Sequence, residues 1–206
     1  MTAILKVDTI QDTSGNNIIN ESSDTITIGA SGDTTNIVGT LQNNGSALAL
    51  GSLTMADQWR LTSRLTDPGN ADITANLERV DDASFSKIGT GMTESSGLFT
   101  FPTTGVYRIQ VVSLIYVPQS DGSAGVMTNI SSNGGSSWDY VAESNGGNAT
   151  GSQTYMTVTS ECFTNVTNAT NFRCKFSASS MAAARLEGQT AYNMTSFSFI
   201  RLGDSQ

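Results

Sequence analysis

The stretch SKIGTGMTESSGLFTFPTTGVYRI, Ser86 to Ile109, changes character twice. Small polar residues give way at Gly97 to the apolar pulse Leu98–Phe101. A turn at Pro102–Gly105 follows, and the chain then enters its longest alternating run. From Tyr107 to Val117 the odd positions are Tyr107, Ile109, Val111, Ser113, Ile115 and Val117. Successive side chains of a strand point to opposite faces, so these six share one buried face. The even positions begin polar at Arg108 and Gln110 and become apolar at Val112, Leu114 and Tyr116. A strand that is apolar on both faces is expected to be covered on both. The cover is either another subunit or an internal loop.

Further strands are expected on either side of this run. They are Trp59–Leu65, Leu77–Val80, Ser84–Ile88, Val126–Ile130, Trp138–Ala142, Thr154–Phe163, Phe172–Ser177 and Ala191–Leu202. Asp67-Pro68-Gly69 and the glycine pairs at 134–135 and 146–147 supply turns. Met181–Leu186 is the one helix-like stretch. In the last strand Phe197 and Phe199 share a face, while Ile200 and Leu202 sit opposite. Val112, Leu114, Tyr116, Ile200 and Leu202 are therefore candidates for a subunit interface. Many short strands at this spacing indicate an all-β sandwich or jelly roll.

Cys162 and Cys174 flank the turn Asn165–Asn171. A hairpin folded at Asn168 sets Cys162 opposite Cys174 and Glu161 opposite Lys175. A disulfide is conceivable there, and a pair of buried free thiols is the preferred reading.

All fifteen aromatics lie from Trp59 onward. Residues 1–58 contain one basic residue, Lys6, and short Ile/Val pulses separated by Ser, Gly, Asn and Asp turns. Two regions are therefore expected, 1–58 and 59–206. The first has too few large apolar residues to bury a core alone. It reads as a short β-rich stalk or anchor in which several chains share one core, the alternative being a flexible tail.

Composition excludes several functions. The net charge is −8 and there is no histidine. Histidine-based nucleophilic and metal sites are thus excluded, and the acidic balance argues against nucleic acid. The longest apolar runs fall far short of a membrane span. Met1–Lys6 carries no secretory pattern. No phosphate loop, nucleophile elbow or metal-ligand string is present. Asp81–Asp82 reads as a solvated turn, and Asp121-Gly122-Ser123 falls short of a calcium loop. No cofactor, metal or catalytic residue is expected.

Gly97, Phe99, Pro102, Gly105 and Tyr107 form a Gly-x-Phe-x-x-Pro-x-x-Gly-x-Tyr pattern. Together with the aromatic closing strand Phe197–Ile200, this resembles the C1q/tumour-necrosis-factor-like jelly roll over about residues 59–206. The resemblance implies a compact homotrimer whose last strand lies near the threefold contact. Residues 4–12, from Ile4 to Asp12, and the later stretch 29–45 resemble the leading segments of tailed-phage fibre and virion proteins.

The combined expectation is a non-enzymatic trimeric fibre or spike at a virion surface, assembled in the host cytoplasm. Ile4, Leu5, Val7 and Ile10 would attach it to other virion proteins of the tail or capsid. Loops Gln119–Gly125, Ser131–Trp138 and Ser144–Gly151 would meet a host glycan or protein, with Asp121, Ser123, Asn133, Trp138, Asn145 and Asn148 as candidates. Trp138 also reads as a core residue. The alternative is a capsid decoration or cement trimer. A glycan depolymerase is disfavoured because no paired acid site is evident.

Overall fold

The structure is a computed structural model. It describes residues 9–11, 13–14, 17–22, 25–28, 32, 34–38, 42–43, 46–47, 53–148 and 152–206. The chain forms two compact units, Met1–Gly51 and Ser52–Gln206.

In the first unit β1 (Thr9–Gln11), β2 (Asn17–Ser22) and β3 (Thr25–Ile28) make an antiparallel three-stranded sheet. β4 (Gln42–Asn43) and β5 (Ser46–Ala47) make a two-stranded ribbon. Ile10 faces Ile19, which in turn faces Ile28. All three are exposed, as is Ile26. The predicted attachment residues Ile4, Leu5 and Val7 lie outside the described residues.

The second unit is a sandwich of two antiparallel sheets, and among the described residues it contains no helix. Its strands are β6 (Met55–Leu61), β7 (Leu65–Thr66), β8 (Leu77–Arg79), β9 (Thr93–Ser95), β10 (Leu98–Thr100), β11 (Gly105–Val117), β12 (Ser123–Ser131), β13 (Asp139–Gly147), β14 (Thr154–Val166), β15 (Arg173–Ser179), β16 (Arg185–Leu186) and β17 (Ser196–Gly203). One sheet runs β13-β12-β15-β10-β9. The other runs β7-β16-β11-β17-β6-β8, with β14 on the far edge of β11. β6 starts at Met55 and pairs with β17 from there, so the compositional break at 58/59 falls inside a strand.

The alternation read in β11 holds residue for residue. Every odd position from Gly105 to Val117 is buried and every even position half-buried. β11 is the spine because both its edges are used. β14 pairs with it without a break from Gly105–Val166 to Val117–Thr154, and β17 and β16 share its other edge.

Phe99 occupies the centre, fully buried. Its ring lies 5.4 Å from Trp59, 5.7 Å from Phe176 and 5.0 Å from Phe199. Each such ring contributes roughly 1.5–3 kcal/mol by burial alone, with more from edge-on contacts. The motif glycines have separate reasons. Ser96 and Gly97, at φ 52° and 82°, form the two-residue turn between β9 and β10 that suits the right-handed twist of a hairpin. A Cβ on Gly97 would also lie 2.2 Å from the Ile73 carbonyl oxygen.

Three expectations are corrected. β14 and β15 are not a hairpin: Cys162 opposes Ile109, and Cys174 opposes Phe99 and Ile130. The link 167–172 crosses from one sheet to the other, because β11 offers β14 a full-length ladder while β15 fills the gap between β10 and β12. Both thiols are free. Glu161 therefore pairs with Arg108, and Lys175 with Asp72. Met181–Leu186 is extended, bridging to Gly69 and forming β16. Residues 84–88 form a turn with one bridge, Ile88 to Ala56, rather than a strand.

Candidate functional site

The outward face of the seven-stranded sheet carries the predicted interface residues. Val112, Leu114 and Tyr116 follow one another along β11, opposite Thr159, Thr157 and Tyr155 of β14. All three are half-buried. Ile200 joins the same face opposite Arg108, whereas Leu202 is the extra residue of a bulge in β17 and is exposed.

Two residues on this face escaped the sequence reading. Tyr155 is 57% exposed and Phe163 is 64% exposed. Their signal was present, since Tyr155, Thr157, Thr159, Glu161 and Phe163 alternate with the inward residues of β14. The Tyr116 ring meets Tyr155 at 5.2 Å, and the Arg185 guanidinium lies 3.8 Å from its centre. Tyr116 donates its hydroxyl hydrogen to Gln153 Oε1 at 2.6 Å. Arg185 is held from behind by the buried Glu187, which Arg64 also reaches at 2.8 Å. A recess of about 220 Å³ between Phe85, Ile88 and Ile200 indents the same face near β6.

The outward face of the five-stranded sheet is largely polar and its groups are paired within the protein. Residues 69–73 extend the sheet beside β15, with Ile73 N–H donating to Phe176 O and Ala178 N–H to Ala71 O. On the outward side of that edge, Asp72 accepts hydrogen bonds from Lys175 Nζ at 2.7 Å and Ser177 Oγ at 2.6 Å. Partial burial raises the Asp72 carboxyl's affinity for a proton, but Lys175 and Ser177 outweigh it and hold the pKa below the ordinary aspartate value. The Lys175 ammonium also sits 4.5 Å from the centre of the Trp138 ring. Trp138 is half-buried under that lysine and is absent from the central core.

The three candidate recognition loops separate. Residues 132–138 join β12 to β13 at one end of the sandwich, where Gly134 N–H donates to Asn171 O. Residues 118–122, Asn148 and Ser152 meet at the other end, where Asn148 N–H donates to Gly122 O and its side-chain amide to Pro118 O and Ser152 O; residues 149–151 of the third loop lie outside the described residues. Asp121 is buried, its carboxylate accepting the Ala183 and Ala184 N–H groups at 2.8 and 2.6 Å, so it anchors that end from within. Ser123 and Asn145 belong to strands, and Asn145 donates to Glu143. Asn133 ties its own loop through Ser131 and Ser137. The chain comes into the unit at Leu53–Thr54, at the 132–138 end, because Met55 pairs with Arg201 beside the C-terminal residues.

Asp81 and Asp82 are not a simple solvated turn. With Glu78 they surround Arg60, which is only 1% exposed. Burial works against the guanidinium's charge, but Glu78 and Asp82 outweigh it and raise the Arg60 pKa above its ordinary value. Among the described residues no group of three or more His, Cys, Asp or Glu is placed to hold a metal ion, and no helix is long and apolar enough to cross a membrane.

Known structures share this arrangement. The chain is similar to the Eiger TNF of S. frugiperda, at 12% identity and TM-score 0.55, over 75% of this chain and 96% of that one. Murine APRIL, in its pH 5.0 crystal structure, aligns at 12% identity and TM-score 0.54, over 72% of this chain and 98% of that one. The second unit has a TNF/C1q-like jelly-roll fold. No family model and no curated protein matches the chain. At 12% identity the likeness concerns the fold alone, so the function of the jelly roll is argued from its surfaces.

Proposed function

We propose that this chain is a non-enzymatic structural protein of a phage virion, a homotrimeric fibre or spike. The supporting observation is the uncovered face formed by Val112, Leu114, Tyr116, Tyr155, Phe163 and Ile200 on the seven-stranded sheet. Exposed apolar groups on one face mark an interaction surface. Here Val112, Leu114, Tyr116 and Tyr155 lie on one side of the Arg108–Glu161 pair and Gln110, with Phe163 and Ile200 at its other end, and three copies of the jelly roll bury them against one another. The 1–58 segment, with Ile4, Leu5, Val7 and Ile10, docks to other virion proteins of tail or capsid. The end of the head formed by 118–122, Asn148 and Ser152 meets the host surface glycan or protein. The resemblance of residues 4–12 and 29–45 to phage fibre segments supports the virion placement.

Light scattering of the full chain tests the assembly. A mass near three times 21.6 kDa is expected, and a stable monomer at micromolar concentration overturns it. Imaging of particles tests the placement. Copies at the tail support the spike, copies spread over the shell identify a capsid decoration trimer, and absence from particles sinks both.

A further inference from the structure

A second recess of about 250 Å³ opens at the end of the sandwich where the chain comes in. It is lined by Thr54, Met55, Thr90, Pro102, Thr104 and Arg201, among others. The Arg201 guanidinium is fixed by three partners on three sides. Nε donates to Thr104 O at 2.9 Å, Nη1 to Thr54 Oγ1 at 3.1 Å and Nη2 to Asp204 Oδ1 at 2.6 Å. Gly105, at φ 149°, is what lets the group lie there, since a Cβ would come within 2.4 Å of Nε.

A guanidinium has five N–H donors, so one on each Nη remains for a ligand. The Asp204 side chain is 92% exposed and that of Arg201 14%, so Asp204 is the solvent-facing partner and the one readily exchanged. Thr90 and Thr104 add two hydroxyls with no hydrogen-bond partner among the described residues. Lys87 lies outside the lining and donates to the Thr90 and Gly89 carbonyl oxygens at 2.9 Å. Arg201 is the cation that lines the recess, in a chain of net charge −8. Pro102 supplies an apolar surface beside it.

We infer that this recess binds a carboxylate-bearing monosaccharide unit, a uronic acid of an acidic glycan. The carboxylate takes the free N–H groups of Arg201 in place of Asp204. The ring's C–H groups lie on Pro102, and its hydroxyls meet Thr90 and Thr104. Charge-assisted pairs of this kind are the stronger class of hydrogen bond. The site lies within one head and does not require the assembly proposed above, so a monomeric variant retains it.

The test is titration of the full chain with sodium glucuronate, followed by ligand-observed NMR, with methyl glucoside and acetate as parallel arms. Saturable glucuronate binding is expected, at least about tenfold tighter than either control and weaker at high salt. Arg201→Gln is expected to weaken it about tenfold or more. Asp204→Asn removes the competing carboxylate and is expected to tighten it a few-fold. Thr90→Val is expected to weaken it a few-fold with an unchanged melting temperature. If Arg201→Gln fails to fold, the last two variants decide. Glucuronate binding no better than the glucoside, or unmoved by these variants, overturns the inference. Acetate binding as tightly as glucuronate identifies a small-anion site and overturns the sugar class.

Discussion

The two outward faces of the sandwich invert the usual rule. The five-stranded sheet's outer residues are largely polar, with Asn129, Ser131, Ser177 and Ser179 all buried. They are paired with one another, with Asp72 and Glu143 on the same face or, for Ser131, with Asn133. The seven-stranded sheet's outer residues include Val112, Leu114, Tyr116, Tyr155, Phe163 and Ile200, and these are half-buried or exposed. A polar face can be closed internally because hydrogen bonds such as Asn129 Nδ2 to Ser177 Oγ, at 3.1 Å, satisfy its groups. An apolar face left open costs the hydrophobic gain of covering it, which is what another copy would supply.

The edges differ in the same sense. β13 is bulged at Val141, where Thr128 faces Ala142 and Asn129 faces Tyr140, and it carries Asp139, Glu143 and Asn145. Bulges and charges blunt an edge against pairing with other chains. β14 runs its thirteen residues against β11 with no bulge.

The largest expected effect is on association. Leu114→Glu sets a charge in the middle of the uncovered face and is expected to reduce the light-scattering mass to the 21.6 kDa monomer while leaving circular dichroism unchanged. An intact trimer would mean that the other surfaces carry the contact.

Next comes the shared core between the faces. Phe176→Ala, at the site where Phe176 and Phe197 meet at 4.5 Å, is expected to cost about 3–5 kcal/mol in denaturant unfolding. A loss below about 1 kcal/mol would show the ring not to be central.

The two thiols compare the sheets directly. Cys174 is fully buried, and burial, with Cys162 adding to it, pushes its pKa well above the ordinary thiol value. Cys162, on β14, is less buried and is raised chiefly by the same desolvation. Native alkylation followed by mass spectrometry is expected to label Cys162 first, with Cys174 reacting only as the protein unfolds. Equal rates would contradict this burial order.

The smallest effect belongs to the closed polar face. Asp72→Asn is expected to cost about 1 kcal/mol or less, since the Asp72–Lys175 pair is partly solvent-screened. The Asp72 pKa is depressed by folding, so its stabilisation is fully present above the ordinary aspartate range and is lost as pH falls below it. Wild type and variant should therefore converge in melting temperature at acidic pH. A constant difference down to pH 2 would place the effect elsewhere.

Much of the head was legible because a strand's period of two is local. The inward residues of β11, and Phe197 and Phe199, were identified from spacing alone. Phe99 and Tyr107 were marked by their motif. The interface candidates followed from the same parity, apart from Leu202, which a bulge moves, and the β14 aromatics, whose alternation was not followed. The cysteine register was illegible for the opposite reason. Two strands joined by six residues read alike whether they form a hairpin or cross between sheets, and only competition for the edges of β11, β10 and β12 decides which.

The sequence by itself determined an all-β head, its buried stripe and a compositional break close to its start, because alternation and aromatic content are properties of neighbouring residues. The tertiary structure decided which partner each strand takes, that Asp121 and Arg60 are buried, that the candidate loops part to opposite ends and that Arg201 faces a recess. Those outcomes depend on residues distant in the chain meeting across two sheets, and no local pattern encodes that meeting.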